Sequence, residues 1–383
     1  MKPAFSLIIL CMLVLVSCRE DDVIVRPQVV PVTQPQYTSV KGFYLLNEGN
    51  MGTNKSTLDY MDYTTGEYIR NIYGAANPDV PMELGDVGND LKIYGSKLWA
   101  VINCSNKVEV MRAADAVRIG QVDIPNCRHI KFHRGFAYVA SYAGPVEINP
   151  DYSQLGYVAK VDTASLKVVD ICIVGYQPDG LEIAGDRIYV ANSGGYRVPN
   201  YEKTLSVIDI NSFSVMETIE IAENLQYVIG DRHGNIWVSS RGDYYALPGR
   251  LFCYSPAESR VVKEIDVPVG SLWLDGDSLY IISSQWSNIT QSTAVTTAIV
   301  DTSTRSRVEG QLITDGTESD MQRPYSIAVN PITKDIYITD AGNFVNPGFL
   351  YCYSRDGKMQ WRVRTGDTPA SIAFIGETAV NRP

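Results

Sequence analysis

The 383-residue chain contains only three histidines. His129 and His133 are four apart on a stretch that reads as a strand, and four strand residues span about 13 Å. That is too far for the pair to share one metal. His233 falls in a turn between Asp231 and Gly234. Histidine triads and histidine general bases therefore have almost no candidates. A glycine-rich phosphate loop is missing, as is any cysteine pair spaced for zinc. Positive charge is also short: Lys and Arg total 33 against 43 Asp and Glu, a net charge of −10. Such a surface repels phosphate backbones and argues against nucleic acid as a partner. Charged residues are only 20% of the chain while tyrosines number 24, which fits an extracellular β protein.

The N-terminus sets the compartment. Met1-Lys2 is a short positive region, and Ala4 to Val16 is an apolar run too short to span a bilayer but suited to a signal peptide. It ends in Leu15-Val16-Ser17-Cys18, which resembles the bacterial lipobox, where the cysteine is lipidated and becomes the new N-terminus. Loss of residues 1–17, with Lys2 their only charge, takes the net charge from −10 to −11. The acidic Arg19-Glu20-Asp21-Asp22 resembles the surface-export signal of Bacteroidetes lipoproteins, which implies an outer-membrane protein anchored by lipid and facing outward. Residues 18–42, with Pro27, Pro31 and Pro35, read as a tether outside the core. Of seven cysteines, Cys11 leaves with the signal and Cys18 carries lipid. The remainder is odd, so no complete disulfide framework exists. Cys253 and Cys352, in the matching phrases Leu251-Phe252-Cys253-Tyr254-Ser255 and Leu350-Tyr351-Cys352-Tyr353-Ser354, read as buried strand thiols.

One phrase recurs, an apolar β-branched and aromatic stretch breaking into small polar residues. It begins at Tyr44, Leu98, Ala137, Ile188, Ile236, Leu279 and Ile336, giving seven copies. A short strand and a tight turn precede each copy after the first, as in Ile183-Ala184-Gly185-Asp186, where glycine supplies the positive φ of a hairpin. Third and fourth strands follow, such as Leu205–Asp209 and Val215–Ile221. Four strands every roughly forty to fifty residues is the signature of a propeller blade. No long helical periodicity competes with it. The fold class is therefore all-β, a seven-bladed β-propeller of four-stranded antiparallel blades over residues 43–376, with a tail at 377–383. The first unit lacks an innermost strand and the chain ends in an isolated one, Ser371–Ile375. That C-terminal strand would complete the first blade and remove both free edges.

In such a blade the two-to-three loops and the inter-blade connections share one face. The two-to-three loops are long and carry Tyr142, Tyr196, Arg197, Tyr201, Arg241, Tyr244, Tyr245, Trp286, Asn343 and Phe344, the candidate ligand-binding residues. Pro178-Asp179, Pro324-Tyr325 and Pro369 fall on the same rim. Exposed aromatics are costly unless covered, so a rim with aromatics in five loops reads as a binding platform. Single tyrosines among them can instead pack on neighbouring loops. Cys104 and Cys127 also map to this rim, where they either form a disulfide joining the second and third units or stay as two thiols.

No catalytic residue emerges. Glu48, Asp86, Asp179, Glu182 and Asp340, with Asn103, Asn192 and Asn343, could approach the tunnel mouth. Propeller lactonases hold calcium with Glu, Asn and Asp in such a place, although Asp and Asn at strand ends are usually turn formers. Function has to be read from the site, since propellers host unrelated activities.

The phrases Ile188-Tyr189-Val190-Ala191-Asn192-Ser193-Gly194-Gly195 and Leu205-Ser206-Val207-Ile208-Asp209 resemble the YncE-like propeller repeat. With the lipobox and the acidic segment, the chain from Phe43 to Ile375 resembles the BtuG family of Bacteroides surface lipoproteins. The resemblance implies capture of cobalamin (vitamin B12) as a bound ligand, not a cofactor, and hand-over to a TonB-dependent outer-membrane transporter. Its motif is specific for the fold and poorly specific for the ligand. A glycan-binding lipoprotein and a calcium-dependent lactonase remain as alternatives.

Overall fold

The computed structural model describes residues 27–36, 38–80, 84–287 and 292–376, with the backbone alone at 285–287 and 292. The signal segment, Cys18 and the tail from 377 lie outside the described residues. The described chain forms seven antiparallel sheets arranged as a seven-bladed propeller. Pro369–Ile375 pairs with Gly42–Asn47, from Gly42↔Ile375 to Asn47↔Pro369, and so supplies the innermost strand of blade 1 as the sequence implies. The other innermost strands are Gly88–Tyr94, Cys127–His133, Pro178–Ala184, Leu225–Gly230, Ser271–Asp275 and Pro324–Val329. Among the described residues, one short α-helix, Ile72–Ala76, and a 3-10 turn, Thr317–Asp320, complete the elements.

The recurring phrase is the second strand of each blade, and its near-continuous apolar run has a physical cause. Neighbouring blades cover both of its faces, so Lys97–Ile102, Arg187–Asn192 and Ile236–Ser240 are buried almost throughout. The outermost strands have one covered face and are largely exposed, as in Lys167–Ile173 and Ser214–Glu220. The core is thus a ring of clusters between blades, for example Tyr189, Leu205, Val238 and Tyr254 between blades 4 and 5. Turns between third and fourth strands reuse one device. Asp162, Asp209 and Asp301 each accept backbone N–H groups two and three residues on, at 2.7–3.2 Å.

The segment read as a tether joins the fold in part. Gln28–Pro31 pairs antiparallel with Glu67–Arg70 and adds an outermost fifth strand to blade 1. Val30 and Val32 pack against the cluster of Tyr63 and Tyr68, and Val40 is fully buried. Alternate valines gave this stretch a buried face that its prolines obscured.

Candidate functional site

Two local devices shape the rim. At the end of the second strand, Ser141, Ser193 and Ser240 donate back to the carbonyls of Pro125, Gln177 and Glu223. The same hydroxyls accept the N–H groups of Ala143, Gly195 and Gly242 at 3.0–3.1 Å, so three long loops leave their blades through one turn. Just before the innermost strands, Val87, Asn126, Gln177, Asn224 and Thr368 hold φ of 43–60°. Register then slips by a bulge, as between Gly88 and Asp90, Pro178 and Leu181, Leu225 and Val228, and Pro324 and Ser326. Bulges re-aim side chains. Here they set polar residues where the strands open onto the rim.

The result is a cavity of about 610 Å³ along the propeller axis. Its mouth is formed by Glu48, Arg241, Tyr244, Tyr325 and Phe344. Beneath lies a buried charge network centred on Asp179, which is fully buried. Its Oδ1 is 3.3 Å from Arg128 Nε and from His129 Nε2, and its Oδ2 is 3.1 Å from Arg241 Nη1. His129 Nδ1 lies 3.5 Å from Asp90 Oδ2, and Lys92 is 2.6 Å from Asp90 Oδ1. Lys131 pairs with Glu182 at 2.7 Å. Burial alone would raise the Asp179 carboxyl, but Arg128, Arg241 and His129 hold it well below the usual carboxylate range. Burial likewise disfavours a charged His129, yet Asp179 and Asp90 lift it above the ordinary imidazole value. Glu48 behaves differently: desolvation outweighs the Tyr325 hydrogen bond and the nearby Arg128 and His129, raising it to about 7.

Nine of the ten predicted rim residues divide into three groups. Arg241, Tyr244 and Phe344 reach the cavity, with Phe344 edge-on to Tyr325 at 5.8 Å and beneath Arg323 at 5.2 Å. Tyr142, Tyr196 and Tyr201 support the rim from within. Tyr142 is buried under the Arg128 guanidinium at 4.7 Å and meets Tyr196 at 6.2 Å, and burial raises its hydroxyl to about 12. Tyr201 is 9% exposed. Arg197 stacks on Tyr176 at 3.8 Å, Tyr245 is exposed, and Asn343 uses its Oδ1 to accept the N–H groups of Val345 and Asn346. These three do not line the cavity. The Gln285–Gln291 loop is shorter than the sequence suggests: Ser278–Ser287 and Ser292–Asp301 pair to Ser287↔Ser292, and Trp286 is a strand residue opposite Thr293.

Sequence reasoning missed the inner-strand residues Asp90, Lys92, Arg128, Lys131 and Tyr227, and set His129 aside as a metal ligand and as a general base. A signal was present. Asp90 and Lys92, and His129 and Lys131, sit two apart and share a strand face, at positions where blade 5 carries Tyr227 and Ile229. Of the carboxylates weighed for calcium, Asp179 and Glu182 are paired with cations, and Asp340 accepts the N–H groups of Gln322, Arg323 and Gly342. Asn192 and Asn103 bond to Thr204 and Ser206 and to Asn126 and the Cys127 carbonyl. Among the described residues no group of three or more His, Cys, Asp or Glu is placed to hold a metal ion.

Of the two alternatives for Cys104 and Cys127, the structure has the unpaired one. Cys104 and Cys127 are both free thiols. Cys127 points into the core between blades 2 and 3, where it donates to the Lys107 carbonyl at 3.3 Å, whereas Cys104 stays at the rim against Asn103 Oδ1 at 3.4 Å. Cys253 and Cys352 are buried strand thiols as expected.

No curated protein matches this chain by sequence. Among solved structures, it is similar to Kuenenia stuttgartiensis hydrazine synthase at 16% identity, covering 75% of this chain and 89% of that one, with a TM-score of 0.60. A quinonprotein alcohol dehydrogenase-like protein from Bacteroides thetaiotaomicron gives 12% identity, coverage of 88% and 79%, and a TM-score of 0.58. The Neurospora crassa Pan2 WD40 domain gives 10%, 71% and 78%, and 0.51. At such identities the likeness concerns the fold alone. The model of one family of unknown function, however, matches residues 41–353, and the chain therefore belongs to the DUF5074 family.

Proposed function

We propose that this protein is a surface lipoprotein, anchored to the outer membrane through Cys18, that captures cobalamin at the propeller mouth and passes it to a TonB-dependent transporter. The observation that carries the reading is the mouth itself, where Tyr244, Tyr325 and Phe344 surround Glu48 and Arg241 over a cavity of about 610 Å³. Cobalamin is a broad, rigid macrocycle edged with amides and carrying a phosphodiester. Aromatic faces suit its flat apolar surface, the Glu48 carboxyl suits its amides, and the cationic side of the mouth suits its phosphate. The cavity below the mouth lies within the ~300–1,000 Å³ of small-molecule sites, and a ligand as broad as this one rests on the mouth and the surrounding rim, above it. A rigid ligand on a rim stiffened by Arg128–Tyr142 and Arg197–Tyr176 stacks loses little freedom on binding, which favours affinity.

The test is calorimetric titration of the protein with cyanocobalamin. Saturable heat at micromolar concentrations or below supports the reading. Absence of heat, together with binding on a glycan array or chelator-sensitive lactone hydrolysis, would replace it with one of the two alternatives.

A further inference from the structure

The cavity below the mouth is chemically divided. Along the inner strands of blades 2, 3 and 5 the upper layer contains Asp90, His129 and Tyr227; two residues on, and facing the same way, come Lys92, Lys131 and Ile229, with Glu182 of blade 4 beside Lys131. That second layer lies ~6–7 Å deeper. Blades 2 and 3 bring the two lysines to one side of it. Blades 5 and 6 bring Ile229, Leu272, Trp273 and Leu274 to the other, all only half-buried because they face open space.

The charge lining the cavity as a whole runs against that of the protein. The charged or basic residues lining the cavity comprise Lys92, His129, Lys131 and Arg241 against Glu48 and Asp90, in a chain of net charge −10. Each ammonium has three donors. Lys131 directs one to Glu182 at 2.7 Å, and Lys92 directs two to Asp90 and the Leu91 carbonyl at 2.6 and 3.3 Å. Both lysines therefore keep a donor for a further acceptor, and their side chains are 38% and 30% exposed for Lys92 and Lys131. A purely structural ion-pair cluster would not need an uncovered apolar wall opposite it.

We propose that the tunnel below the mouth is a second binding site, for an organic anion with an apolar body. Its carboxylate sits on Nζ of Lys92 and Lys131, and its hydrocarbon chain covers Ile229, Leu272, Trp273 and Leu274. This goes beyond capture at the mouth and does not depend on which ligand the mouth holds.

Decanoate, decanol and decylammonium share one chain and differ only in the head, so they separate the two halves of the proposal. Titration followed by calorimetry and tryptophan fluorescence is expected to give saturable binding of decanoate below millimolar concentration. Decanol is expected to bind about tenfold or more weakly, since a charged hydrogen-bonded pair is lost, and decylammonium not to compete. The Lys92→Gln, Lys131→Gln double variant, checked for folding by its melting curve, is expected to bind decanoate and decanol alike. Equal binding of decanoate and decanol by the unaltered protein would overturn the proposal, as would no binding of decanoate at millimolar concentration. The ligand series on the unaltered protein decides the matter even if the double variant fails to fold.

Discussion

The Tyr325 hydroxyl donates to both carboxylate oxygens of Glu48, at 3.0 and 2.9 Å. One hydroxyl is a modest return for taking a carboxyl out of water, and Arg128 and His129 act on Glu48 only through space. The acid consequently titrates near pH 7 instead of near 4.5.

The sign of the resulting pH dependence follows from linkage. With its folded value above its unfolded one, Glu48 binds more protons in the native state between about pH 4.5 and 7, so stability falls as pH rises through that window. Glu48→Gln keeps the shape of the neutral acid. We expect its melting temperature to match that of the unaltered protein near pH 4 and to exceed it by a few degrees at pH 8. A thermal melt series across pH checks this, and an unchanged difference at all pH values would show that Glu48 stays ionised.

Asp179 is the opposite case. Arg128, His129 and Arg241 converge on it, and its low titration makes its contribution present above the unfolded value and lost as pH falls through the folded one. Asp179→Asn strands the cations. The expected cost is about 3 kcal/mol at pH 7, the lower end for breaking a buried pair, because Arg128 and Arg241 remain 13% and 23% exposed. Urea unfolding measures it, and the deficit should shrink below about pH 4 as the unaltered protein loses the same interaction.

How much of this was legible in the sequence can be stated residue by residue. The seven apolar phrases read directly because blade stacking buries both faces of the second strands, which leaves a long, uninterrupted apolar signature. The closing strand Pro369–Ile375 was visible because blade 1 lacked a partner for Gly42–Asn47. The Asp179 network was not legible, since it joins Arg128, Asp179 and Arg241 from three different blades and requires the bulges to aim them inward. Trp286 shows the converse error: a polar stretch that reads as loop is paired strand, because cross-strand partners and not composition decide where a hairpin ends.

Gly180 marks a close approach that only glycine permits. A Cβ there would meet the Gln226 carbonyl oxygen at 2.4 Å and Tyr227 Cα at 3.1 Å, so the inner strands of blades 4 and 5 would have to separate. Gly180→Ala is expected to destabilise by about 1–3 kcal/mol, as for other overpacked sites. Tyr227 would also shift at the cavity wall. Chemical unfolding gives the first quantity; a melting curve unchanged from the unaltered protein would show that the two strands can part freely.

The thiols offer a test of the unpaired state of Cys104 and Cys127. Cys127, Cys172, Cys253 and Cys352 are buried, and burial raises the Cys127 thiol to about 12, whereas Cys104 is half-buried at the rim. Thiolate is the reactive form. A thiol-specific reagent applied to the protein from residue 27 onward should label Cys104 first and the others only on unfolding. Mass spectrometry under non-reducing conditions should find all five unpaired; a cross-linked Cys104–Cys127 peptide would restore the covalent staple between blades 2 and 3.

If the proposed capture of cobalamin holds, the division of the rim residues predicts which substitutions touch it. Tyr244 and Phe344 line the mouth, whereas the Asn343 side chain is engaged by the backbone of its own turn. Truncating a central aromatic contact commonly costs about 2 kcal/mol or more, which is more than tenfold in affinity. Tyr244→Ala and Phe344→Ala should therefore each weaken cyanocobalamin binding at least about tenfold, chiefly through faster release. Asn343→Asp keeps the acceptor that holds Val345 and Asn346 and should stay within about twofold. Surface plasmon resonance on the three variants separates association from release. Equal affinities for all three would place the vitamin away from the mouth, on the outer loops where Tyr245 is exposed.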